Sequence, residues 1–221
     1  MRSEDRVERA RQSYERAVYR DGVEGIDEAE RELDAVEADV ALARGRLIHA
    51  RFLAERDNGG RPMEDPRELP LFERAAKFYR ALGDTRGEAD AVFWIGTVHQ
   101  VVRRDNETAV PILQRARELA VAADDPLILS EALRHLGIAE HGAGNLDAAR
   151  ALLEESTGLR RAVGLLPGVA SNLIGLAYIA FAQDRRPDAL ALLDEADALA
   201  SRSGADRILH HIREARAAVG A

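Results

Sequence analysis

The chain has 221 residues, with 31 basic side chains against 39 acidic ones and a net charge of −8. With 46% hydrophobic and 32% charged residues it has a globular rather than a disordered composition, and its acidic balance argues against nucleic acid as a direct partner, because phosphate contacts need positive surface. Cysteine is absent, which excludes disulfides, thiolate nucleophiles and cysteine metal ligands. No apolar run approaches the roughly 18 residues of a membrane helix, and Met1 to Gly22 lacks the apolar stretch of a secretory signal. The expected location is therefore the cytoplasm, with no membrane partner.

In chain order, residues 6–19 and 26–38 read as a helix pair, the second with an apolar stripe of Ile26, Ala29, Leu33 and Val36. A unit over 39–84 follows. Leu47, Ala50 and Leu53 mark its first helix, although Gly45 and Leu47 suggest different alignments with later units. Its second helix carries Leu71, Phe72 and Ala75. Between them lies an insertion, 57–68, with two glycines and two prolines. It is expected to be a solvated loop, though insertions in repeat arrays sometimes fall on a binding face.

Three further units span 85–125, 126–164 and 165–204. Apolar pairs beginning at Leu71, Ile112, Leu152 and Leu192 recur after 41, 40 and 40 residues. Upstream segments Phe93-Trp94-Ile95-Gly96, Arg134-His135-Leu136-Gly137 and Ile174-Gly175-Leu176-Ala177 recur in step. Two segments keeping one period mark a repeat array. Each unit reads as two helices separated by turn residues at 104–106, 142–145 and 184–187, and no segment alternates with period two, so strands are not expected. Gly96, Gly137 and Ala177 on the first helices, with Ala149 and Ala189 on the second, are small enough to let paired backbones approach. The final segment, 205–221, has Ile208, Leu209, Ile212, Ala215 and Val219 on one face, as a terminal capping helix requires.

Leu133, Leu136, Gly137, Ala149 and Leu153, with Ser156 replacing a final alanine, resemble the tetratricopeptide repeat. Leu173, Leu176, Ala177, Ala189, Leu193 and Ala196 match in the next unit. Ile95, Gly96, Leu113 and Ala116 match in the preceding one, which has an extra residue assigned to its turn. The period of about 40 exceeds the usual 34 and is similar to the longer variety of bacterial regulators. The resemblance implies an all-α fold, a right-handed α-α superhelix of antiparallel helix pairs, forming a single domain. It also implies a concave groove lined by the first helices. By register, that groove would present Asp90, Phe93, Thr97 and Gln100, then Glu131, Arg134, Ile138 and His141, then Ser171, Ile174, Tyr178 and Phe181. Phe93, Ile138, Ile174, Tyr178 and Phe181 would give it an apolar floor, a feature that marks binding sites. Its occupant would be a peptide, a helix or a partner protein, or else the chain's own last helix or a second copy in a homodimer. Phe93 and Thr97 stand where the family's carboxylate clamp needs polar groups, which argues against capture of a chain terminus.

Catalytic and cofactor motifs are missing: there is no phosphate-binding glycine loop, nucleophile elbow or zinc-type His-Glu-x-x-His. His135 and His141 lie about 240° apart around a helix and diverge, and His210 and His211 diverge likewise. No metal and no cofactor are expected. Arg103-Arg104 and Arg185-Arg186 read as solvated turn residues. The expected function is a non-catalytic interaction scaffold. The alternative is a sensor module of, or associated with, a bacterial transcriptional regulator. An enzyme built from His135, His141, Glu131 and Tyr178 ranks last.

Overall fold

A computed structural model describes residues 3–20 and 22–220; Met1, Arg2, Asp21 and Ala221 of the expected domain lie outside the described residues. The fold is all-α, with no strand among the described residues. The helices are α1 (Ser3–Tyr19), α2 (Ile26–Asp57), α3 (Glu68–Leu82), α4 (Thr85–Thr97), α5 (Asn106–Ala122), α6 (Pro126–Gly142), α7 (Leu146–Ala162), α8 (Leu166–Ala182), α9 (Arg186–Ser203) and α10 (Asp206–Gly220). The chain forms two compact units, Met1–Ala109 and Val110–Ala221.

In the first unit α1 packs on α2, α2 on α3 and α3 on α4. The expected boundary between a helix pair ending at 38 and a repeat beginning at 39 does not exist, because α2 is one helix of 32 residues. Neither Gly nor Pro interrupts 26–44, so nothing breaks the backbone ladder there. The alignment of this repeat is settled by Gly45: a Cβ there would meet the Phe72 ring at 2.5 Å, so α2 and α3 touch at Gly45, whereas Leu47 is 62% exposed.

In the second unit each helix packs on the next from α6 to α10, and alternate helices also touch, α6 on α8 and α8 on α10. α10 meets α9 and α8 as α8 meets α7 and α6, so it extends the stack as a further first helix. Ile212, Ala215 and Val219 bury its inner stripe. A Cβ on Gly137 would lie 3.1 Å from Leu153 Cγ and 3.3 Å from the Ala149 carbonyl oxygen, which is the close approach its small size anticipates.

The repeat is written in the backbone. Left-handed residues fall at Gly83, Arg104, Asp124, Gly144, Gly164, Asp184 and Gly204, with φ between 50° and 82°. Consecutive ones are 20 residues apart, except for 21 between Gly83 and Arg104. After such residues the next N–H donates back to the carbonyl five residues earlier, as Asn145 does to Glu140 (2.9 Å) and Leu165 to Arg160 (2.9 Å), closing the helix end. Leu113, Leu153 and Leu193 each follow a left-handed residue by nine positions and are all at most 1% exposed, so they occupy equivalent places.

The extra residue assigned to a turn is elsewhere. The turns around Arg104, Gly144 and Asp184 stand at the same distance from the next buried leucine. The surplus lies between Gly96 and Arg104, where α4 passes into a π-helical turn, Val98–Val102. There the Arg103 N–H donates to the Val98 carbonyl (3.1 Å). One added residue inside a helix is absorbed as a π-bulge because widening one turn keeps the flanking faces in register.

One column of the repeat trades volume across the joint between a second helix and the next first helix. Ala120 is followed by Ile128, and Ala200 by Ile208. At the same two positions the other repeats have Tyr79 with Gly87, and Arg160 with Gly168. A Cβ on Gly87 would meet the Tyr79 ring at 2.4 Å, and one on Gly168 would lie 3.0 Å from Arg160 Cδ. Small-with-large fills the joint in two repeats and large-with-glycine in the other two, since close-packed interiors fix the total volume rather than its donor.

Candidate binding face

The expected groove residues divide between the two units. In the first unit Asp90 on α4 is half-buried and ion-paired with Arg46 of α2. Phe93, Thr97 and Gln100 are buried, at 5%, 2% and 8% exposure, and do not line an open surface. Phe93 packs edge-on against Trp94, with centroids 5.4 Å apart. The Thr97 hydroxyl donates to the Phe93 carbonyl (3.0 Å), and Gln100 Nε2 donates to Asn106 Oδ1 (3.1 Å). Gln100 is buried for a definite reason: past the π-bulge the frame advances by one residue, so Gln100 takes the inward column of Ala180, and Val101 takes the column of Phe181.

Beneath this face lies a cluster that residue spacing did not reveal. His49 Nδ1 is 2.7 Å from Glu68 Oε1, and both residues are buried. Trp94 stacks on Phe72 (5.5 Å, 14°) and stands edge-on to His49 (5.2 Å), with the Arg46 guanidinium 5.6 Å from its centroid. The Tyr79 hydroxyl donates to Asp39 Oδ1 (2.8 Å). Burial, then this hydrogen bond, pushes the Tyr79 phenol well above its usual range. These contacts pin α2 to α3 and α4. The signal was available: Glu68 stands in the column of Ala109, Ala149 and Ala189, all of which are fully buried.

In the second unit, α6 and α8 bring their expected residues onto adjacent first helices. Ile138 and Phe181 are each 39% exposed, and Tyr178 is half-buried against the core. Ile174, expected in the apolar floor, is 9% exposed and belongs to the core instead; the open apolar surface is thus smaller than the register implied. His141, Glu131 and Ser171 are half-buried. Arg134 joins the helices, its Nη1 donating to the Ser171 carbonyl (3.2 Å) and to Asn172 Oδ1 (3.1 Å).

Behind Arg134 is a polar network inside the stack. Arg160, 2% exposed, donates from Nη1 to the Gly168 carbonyl (2.9 Å) and to Asn172 Oδ1 (3.0 Å). Asn172 Nδ2 donates to Ser156 Oγ (2.8 Å), which donates to the Ser130 carbonyl (2.6 Å). Arg160 Nη2 lies 2.6 Å from Glu131 Oε2, but off the line of a hydrogen bond, so the contact is ionic and that nitrogen lacks an aligned acceptor. The Glu131 carboxylate contacts Arg160 and acts on Arg134 through its charge. Burial, and then the charge of Arg160, draws Arg134 down to about 10, with Glu131 acting against both; Arg160 is lowered by burial, again opposed by Glu131. Four members interrupt a column that other repeats fill with alanine: Ser130 that of Ala89 and Ala170, Ser156 that of Ala116 and Ala196, Arg160 that of Ala120 and Ala200, and Asn172 that of Ala91 and Ala132.

Glu131 is turned to Arg160, while burial, and then the charge of Glu214, raises the Tyr178 phenol. The two do not meet as an acid–base pair. Among the described residues no group of three His, Asp or Glu side chains could hold a metal, and no helix is long and apolar enough to cross a membrane. Three of the four paired arginines make contacts as well as facing solvent: Arg103 forks onto Glu64, Arg185 pairs with Asp188, and Arg186 donates to the Gly220 carbonyl.

No family model and no curated protein matches the chain. Among solved structures it is similar to BtubC (BKLC) from P. vanneervenii, with a TM-score of 0.47 and 15% identity over 91% of this chain and 89% of that one.

Proposed function

We propose that the chain is a non-catalytic interaction module of the tetratricopeptide type, working in the cytoplasm, and that the α6–α8 face of the second unit receives a segment of a partner protein. The observation that carries this reading is the pair of large apolar side chains, Ile138 and Phe181, left 39% exposed on touching helices, with half-buried Tyr178 beside them. Exposed aromatics on a rigid face lose little entropy on contact and dominate interface energies. Arg134 and Glu131 add charge that sets the orientation of the bound segment. Selection of displayed peptides on the whole chain, followed by affinity measurement on Tyr178→Ala/Phe181→Ala, tests this. The selected peptides are expected to bind the double variant at least about tenfold more weakly, with far-UV circular dichroism unchanged. Equal binding by a folded double variant rejects the face. A sensor module of a bacterial regulator is the second reading, and a cavity in the first unit favours it.

A further inference from the structure

The insertion between α2 and α3 forms a structured wall. Arg103 forks onto Glu64 through Nε (3.1 and 3.0 Å) and Nη2 (2.6 Å). Arg67 grips Asp65 through its backbone N–H (3.0 Å), Nε (2.9 Å) and Nη2 (2.6 Å), and Pro66 and Pro70 fix φ on either side of Arg67. Against this wall α2 presents Arg44, Leu47, Ile48 and Arg51, and a cavity of about 530 Å³ lies between, within the range of small-molecule sites.

Its lining has a distinct chemistry. Arg44, Arg51, Arg67 and Arg74 surround it, with Leu47 and Leu71 among the aliphatic groups of its floor, and neither a carboxylate nor an aromatic ring lines it. Four guanidiniums converge in a chain whose net charge is −8. Arg67 is committed to Asp65, and Arg74 is paired with Glu37 and stands over the Phe78 ring. Arg44 and Arg51 form no ion pair among the described residues. They are seven positions apart and so share a face of α2, with the 62% exposed Leu47 between them. Cations are repelled here, and a nucleobase would find no ring on which to stack.

We propose that this cavity binds a free anionic amphiphile: an aliphatic chain laid on Leu47 and Leu71, with a carboxylate or phosphate head held by Arg44 and Arg51. The planar guanidinium fork matches such an oxyanion, and the aliphatic floor removes the chain from water.

Calorimetric titration of the whole chain with sodium decanoate and with decyl phosphate tests the assignment. Saturable binding of at least one is expected. Decanol and inorganic phosphate alone are expected to bind at least about tenfold more weakly, since each lacks one half of the recognition. Arg44→Gln/Arg51→Gln, both on exposed positions of α2, is expected to weaken binding at least about tenfold with helicity unchanged, and Leu47→Asp to abolish it. Absence of saturable binding by both probes overturns the proposal, as does decanol binding equal to decanoate or indifference to the double glutamine variant. Co-sedimentation with phosphatidylglycerol vesicles without binding of the free probes also overturns it, by placing the anion on a lipid surface.

Discussion

Replacing Arg160 by alanine and Gly168 by isoleucine writes into the α7–α8 joint the pair that the chain already uses at Ala120 with Ile128 and at Ala200 with Ile208. Arg160→Ala alone empties a stem that is only 2% exposed and strips the donor from the Gly168 carbonyl and from Asn172 Oδ1. Losing a buried charged partner costs about 3–5 kcal/mol where the remaining charge is trapped. Glu131 keeps 31% of its side chain exposed and re-solvates in part, and Arg134 still satisfies Asn172, so about 2–3 kcal/mol is expected. Gly168→Ile alone drives a Cβ to 2.9 Å from Leu165 Cδ2 and 3.0 Å from Arg160 Cδ, an overpacking worth about 1–3 kcal/mol. In the double variant the isoleucine fills the space the arginine vacated, so stability should return to within about 1 kcal/mol of the natural chain, with a coupling of about 2 kcal/mol or more. Urea titration by circular dichroism gives the midpoints, and hydrogen exchange of the α7 and α8 amides localises the change. Strict additivity, with the double variant losing the sum of the two single costs, would refute the claim that the two side chains share one volume.

Glycine-to-alanine substitution should change sign with position. Gly158 sits within α7 with nothing near its absent Cβ, so Gly158→Ala should stabilise by about 0.5–1 kcal/mol, whereas Gly45→Ala collides with the Phe72 ring and should destabilise by about 1–3 kcal/mol; thermal denaturation distinguishes the two. Asp124→Gly should stabilise by about 0.5–1 kcal/mol, because Asp124 holds φ at 50° where Gly83, Gly164 and Gly204 serve in the equivalent turns. Arg103 beside Glu64 holds that carboxyl below the usual range. A folded pKa below the unfolded one means that its stabilising effect is complete above the ordinary Glu range and is lost as pH falls through the depressed value. Hydrogen exchange in 58–67 should therefore quicken in acid below pH of about 4, and Glu64→Gln or Arg103→Gln should produce the same quickening at neutral pH.

Much of the fold was legible because the period appears twice in the sequence, once in each helix of a unit, and side-chain period alone fixes which face a helix buries. The all-α class, the helix pairs from residue 85 onward and the inward leucines at 113, 153 and 193 all follow from that. Three features did not. The continuity of α2 was obscured because a long helix carries its apolar residues round several faces, and its weak stripe reads as two shorter ones. The π-bulge at Val98–Val102 adds one residue without any turn residue to betray it, and this one-position shift is what turned Gln100 inward. Ile174 was assigned to the surface because register gives direction but not depth: a residue pointing toward the first-helix face is still buried where the neighbouring helices rise around it.

The residues that spacing missed share a property that spacing could have supplied. Glu68, Tyr79, Ser130, Ser156, Arg160 and Asn172 each interrupt a column that sister repeats fill with alanine, and each is at most 7% exposed. A repeat array supplies its own controls: what packs in one unit packs in the next, so a buried polar group in an alanine column is not required by the fold, and its desolvation must be offset locally. In the first unit the offset comes from His49 and Asp39, and the outcome is a joint sealed by Tyr79 over Gly87. In the second, Glu131 is the carboxylate acting on both Arg134 and Arg160, and Arg160 Nη2, like Glu68 Oε2 in the first, lacks an aligned hydrogen-bond partner. That residual positive charge sits behind Arg134 on the proposed face, and it favours a partner that brings an acidic group alongside its apolar anchor.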